Sequence, residues 1–117
     1  MDANNGRVTI APEVLVTIAR LTTQSIEGVA ELCRQIGPSY LDRLLGRAAG
    51  GGGVQVAIAD ETVRVDLHII VDPDVDMRDV SIRIQEAVTR AIQDMVGMRV
   101  DAVNIHIQDV AYNQRGS

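Results

Sequence analysis

The 117-residue chain sets 11 basic residues, all arginine, against 16 acidic ones, and contains neither Phe nor Trp. That length supports one domain with a single aliphatic core and no need of disulfides or a structural metal. The formal charge of −5 excludes a polybasic nucleic-acid binder, the lone Cys33 excludes an intrachain disulfide, and no apolar run approaches the roughly 20 residues of a membrane span.

In chain order, Arg7–Ile10 reads as a short strand and Pro12 as the first residue of a helix, where its missing N–H costs nothing. Val14, Leu15, Ile18, Ala19, Leu21, Thr22 and Ile26 are expected on the buried face of that helix, which Gly28 closes. Val29–Ile36 alternates weakly and is predicted to be a further strand. The least regular stretch is Gly37–Gly53, read as a flexible insert. Ser39 could cap a short helix there, with Leu41, Leu44 and Leu45 on one side, before the four glycines Gly50–Gly53.

Val54, Val56 and Ile58 alternate with Gln55, Ala57 and Ala59, and Asp60-Glu61 links them to TVRVDLHIIV (Thr62–Val71). In that second run Val63, Val65, Leu67, Ile69 and Val71 share one face, while Arg64, Asp66 and His68 fall on the other. The two runs predict an antiparallel hairpin. Asp76 then caps a helix whose apolar stripe is Met77, Val80, Ile84, Ala87, Val88, Ala91, Ile92 and Met95, and Gly97 ends it. Asp79–Arg83 and Glu86–Arg90 are acid-first pairs four apart on its polar side. A last strand places Val103, Ile105 and Ile107 against Asn104, His106 and Gln108, and residues 112–117 read as a tail.

One-sided strands and one-sided helices satisfy each other, so the fold expected is α+β: a mainly antiparallel sheet, two amphipathic helices packed on one face, and a polar open face. The domain spans residues 1–117, with its core at about 7–111.

The chemistry-bearing patterns fail as sites. Asp72, Asp74 and Asp76 resemble the start of an EF-hand loop, but its sixth and twelfth positions hold Met77 and Arg83, and helix capping explains the same acids. His68, His106 and Asp66 could in principle bind a metal, yet solvated polar positions explain them as simply. No Gly-Lys-Ser/Thr follows the glycine run, and no nucleophile–base–orienter set can be assembled. No catalytic residue, cofactor, metal or small-molecule substrate is therefore expected. A small KH-like nucleic-acid-associated domain is the alternative, with Gly50–Gly53 as its GXXG loop, but dispersed arginines and missing stacking aromatics make nucleic acid an unfavoured partner.

VTIAPEVLVTIA (Val8–Ala19), IEGVAEL (Ile26–Leu32), GVQV (Gly53–Val56), VDLHIIV (Val65–Val71), IQEAVTRAI (Ile84–Ile92) and MVGMRVDAVNIHIQDV (Met95–Val110) occur in that order. The ordered set resembles the alkaline shock protein family of bacterial envelope stress response proteins, also known as Gls-type general stress proteins. The chain departs from that pattern at Asp72-Pro73-Asp74, where the family commonly has a tyrosine-glycine turn. The resemblance implies a non-enzymatic, cytoplasmic stress protein that self-associates and sits beside the membrane through a small membrane-anchoring partner, without inserting itself. The polar sheet face with Arg64, Asp66, His68, Asn104 and His106, together with any uncovered edge strand, is where another chain is expected to dock.

Overall fold

The computed structural model describes residues 6–33 and 48–112. They form α1 (Pro12–Gln24), β1 (Val29–Leu32), β2 (Ala48–Gly51), β3 (Val54–Ala59), β4 (Thr62–Val71), α2 (Met77–Val96) and β5 (Arg99–Val110). The short helix expected after Ser39 lies outside the described residues.

All five strands belong to one sheet centred on β4. β3 pairs antiparallel with β4 from Ala59↔Thr62 to Val54↔Leu67, and β1 does so from Leu32↔Ile69 to Val29↔Val71. β5 runs parallel to β4 along its whole length, from Thr62↔Arg99 to Val71↔Val110. A strand has two edges and β5 fills one, so β1 and β3 share the other and lie in line. His68 is the joint between them. Its carbonyl accepts from the Cys33 N–H at 2.7 Å, and its own N–H donates to the Gly53 carbonyl at 2.8 Å. β2 pairs antiparallel with the outer side of β3.

The predicted hairpin is β3–β4, and its two turn residues Asp60 and Glu61 take φ of 51° and 67°. Two successive positive φ values match the twist of the flanking strands, so the turn forms without glycine. The sheet is mixed but mainly antiparallel. One-sided alternation predicts antiparallel neighbours, whereas β5 is parallel because the 20-residue α2 carries the chain back across the covered face before β5 starts.

Val63, Val65, Leu67, Ile69 and Val71 are each 0 % exposed. Leu15, Val16, Ile18 and Ala19 of α1 and Val80, Ile84, Val88 and Ile92 of α2 pack on that face and complete the core. Each enclosed Val, Leu or Ile contributes about 1.5–3 kcal/mol by leaving water. At the start of α2 the Asp79 N–H donates to Asp76 Oδ1 at 3.1 Å, and at its end Gly97 takes φ 80°. Both boundaries are the predicted ones.

Four expectations change. The buried stripe of α1 is turned by about a residue: Val16 and Thr23 are inside, while Val14 and Leu21 are exposed. Apolar residues surround most of this helix, so periodicity leaves its phase open, and Arg20 fixes it by donating from Nη2 to the Gly51 carbonyl at 2.7 Å. Met77 and Met95, in the first and last turns of α2, are exposed. Residues 7–10 form no strand, and Val8 stands exposed. The end of the glycine run also has regular structure: Gly50 and Gly51 belong to β2, and Gly52 and Gly53 turn the chain into β3.

Candidate functional site

The alternate residues of β4 build the other side of the sheet. Parallel pairing sets Asp66 beside Asn104 and His68 beside His106. The predicted surface residues Arg64, Asp66, His68, Asn104 and His106 therefore gather in one patch across two strands, which no described element covers. Two strands distant in sequence meet there because α2 returns the chain to the level of Thr62 before β5 begins.

Asp66 organises the patch. Its Oδ1 accepts from Asn104 Nδ2 at 3.1 Å and lies 3.2 Å from His106 Nε2. The His106 ring stacks on the His68 ring, with centroids 4.4 Å apart and planes at 12°. His68 itself is only 9 % exposed, and its Nδ1 is buried with no hydrogen-bond partner. Burial holds the His68 imidazole below its ordinary value of 6.5; the charge of His106 pushes the same way and Asp66 opposes both. The reading of His68 as a solvated position is thus corrected: its ring is enclosed in the sheet surface against that of His106. Arg64 stands slightly apart, with Nη2 3.6 Å from Asp101 Oδ2 and both side chains more than half exposed.

Stacked imidazoles present their nitrogens side by side rather than converging on a point, which is poor geometry for a shared ion. Among the described residues no group of three or more His, Cys, Asp or Glu side chains could hold a metal. Hollows occur elsewhere. One of about 160 Å³ borders Arg64 and Asp101, and a groove of about 570 Å³ follows the polar flank of α2 past Gln85, Thr89 and Gln93. Gln85 ties that flank to β5 by donating to the Val103 carbonyl at 3.0 Å.

Sequence reasoning missed how Cys33 and Gly53 converge on His68, since the pairing of β1 with β4 is long-range and leaves no local signal. It also missed the Arg64–Asp101 pair, which depends on an irregularity in register between Val63 and Arg64. Gly50–Gly53, the loop of the nucleic-acid alternative, sit in a β-hairpin rather than between helices.

Comparison with known proteins places the chain. Residues 1–112 match the alkaline shock protein 23 family, described as having a cell envelope-related function, and the chain belongs to that family. It is 29 % identical over 114 residues to the protein YqhY of Bacillus subtilis, a match covering 97 % of this chain and 84 % of that one. It is also 30 % identical over 107 residues to Spy1535 of Streptococcus pyogenes, covering 90 % and 79 % of the two chains. Among solved structures, the zinc form of a MamM CTD variant has a similar fold. Its TM-score is 0.51 at 13 % identity, and the match covers 86 % of this chain and 87 % of that one. Among the described residues no helix is long and apolar enough to cross a membrane.

Proposed function

We propose that this family member is a non-enzymatic interaction module of the envelope stress response, self-associating in the cytoplasm and held at the inner face of the membrane by a small anchoring protein. One observation carries the reading. The sheet has a polar face uncovered by any described element, with hydrogen-bonding side chains already arranged across two strands. An ordered, shallow polar surface suits recognition of another folded chain, where complementary charges set orientation and the rim remains wet. The envelope-related family to which the chain belongs supports the same setting.

The test uses size-exclusion chromatography with light scattering on the wild type and on the double variant Arg64→Glu/His106→Glu. Both side chains are exposed, so the fold should survive. The expected outcome is an oligomeric wild type and a variant shifted toward monomer, together with recovery of a small membrane protein by the wild type alone. A monomeric wild type that retains RNA would replace this reading by the nucleic-acid one.

A further inference from the structure

The outer sides of the sheet are unequal: one is shared by β1 and β2, four residues each, and the other belongs to β5 alone. β2 is four residues long, ends in two glycines, and is held from the side by Arg20 on the Gly51 carbonyl. β5 is twelve residues long and pairs with no strand on its outer side among the described residues. A long strand whose outer side pairs with no other strand is a template for one, with the Val103 carbonyl already accepting from Gln85 Nε2 at 3.0 Å.

Its side chains say which strand. Position along β5 can be counted by the partners on β4, which corrects for the two irregularities in register. Asn104 stands at the level of Asp66; Arg99 stands at Thr62 and Asp109 at Ile70, four steps to either side. Val103 and Ile105 flank Asn104 at one step, Ala102 and His106 at two, Val100 and Ile107 at three. A second β5 laid antiparallel on the first, about a two-fold axis at Asn104, therefore meets a complementary row. On the helix side Val103 faces Ile105 of the partner copy and Val100 faces Ile107. On the open side the small Ala102 leaves room for His106. At both ends Arg99 meets Asp109.

Moving the axis one pleat along the strand, to Ala102 or His106, leaves Arg99 or Asp109 without its opposite charge. Both residues are exposed, and Arg99 makes no ion pair among the described residues. Asp109 uses Oδ1 to accept from the Val110 N–H at 2.8 Å, which leaves its second oxygen available. Residues 102–106 keep an unbroken register on both sides of Asn104, so five consecutive rungs can form.

We infer that β5 is the self-association edge, pairing antiparallel with β5 of a second copy about Asn104 and joining two sheets into one of ten strands. This deepens the self-association reading above and rests on it. Cross-strand pairs are the unit of sheet stability, and like charges directly opposite each other are unfavourable.

The test is a charge exchange, with Arg99→Asp and Asp109→Arg made singly, mixed, and combined in one chain. Association is followed by analytical ultracentrifugation, with circular dichroism to confirm folding. Each single variant should self-associate at least about tenfold more weakly, because both ends of the pairing then carry like charges. An equimolar mixture of the two should form a one-to-one heterodimer, and the combined variant should recover self-association. Unchanged assembly in the single variants overturns the β5 edge but leaves self-association through another surface standing. Weakened single variants that fail to rescue each other overturn the Arg99–Asp109 register. A wild type that stays monomeric at all concentrations removes both readings together.

Discussion

The two faces of β4 carry alternate residues of a single ten-residue strand, yet they obey different rules. On the helix side Val63, Val65, Leu67, Ile69 and Val71 are all sealed from water and interchangeable in kind: any aliphatic residue of the right volume serves. On the open side each residue is particular, with Asp66 holding Asn104 and His106, and His68 stacked beneath the latter. Period two lets one strand build a core and an ordered polar surface at once, and it confines the consequences of a substitution to one of them.

That separation sets the size of mutational effects. Leu67→Ala removes a fully enclosed side chain at the centre of the core, and its cost should be about 2–5 kcal/mol in the free energy of urea unfolding. A loss below about 1 kcal/mol would mean that the two faces differ less than their burial suggests. His68 is the intermediate case, because it belongs to the open face but is enclosed. Its folded-state imidazole is held below 6.5, so the unfolded chain takes up that proton first as the pH falls. Stability should be complete above pH 6.5 and decline as the pH drops below it, levelling once the folded protein is protonated too. His68→Gln should flatten that decline, as followed by denaturation midpoints between pH 8 and pH 5, and an unaltered slope would assign the effect to other groups. Arg64→Ala should do least. Its partner Asp101 is 3.6 Å away and both are bathed in water, so stability should change by under about 0.5 kcal/mol even while docking is weakened.

Alternation was enough to assign these two faces, because burial on one side leaves a direct imprint on residues 62–71. The limits of α2 were equally legible in Asp76 and Gly97, whose side-chain chemistry acts within a few residues. What escaped was whatever depends on partners distant in the chain. Val103, Ile105 and Ile107 alternate in the same way beside a parallel or an antiparallel neighbour, so the direction of β5 against β4 left no mark. The phase of α1 was hidden by its surplus of apolar residues. The burial of His68 arises from His106, 38 positions later, and a histidine on a polar face gives no warning of it. The five residues of the patch were identifiable as sharing a side; that Asp66 bonds two of the others required the register of β5.

The meeting of Cys33 and Gly53 at His68 has its own consequence. β1 and β3 are two halves of one ladder whose rails are cut at a single rung. Three main chains crowd there, those of Cys33, Gly53 and His68. A β-carbon at Gly53 would collide with the Cys33 carbonyl and come within 2.8 Å of the His68 carbonyl, so the break in the ladder closes only around a glycine.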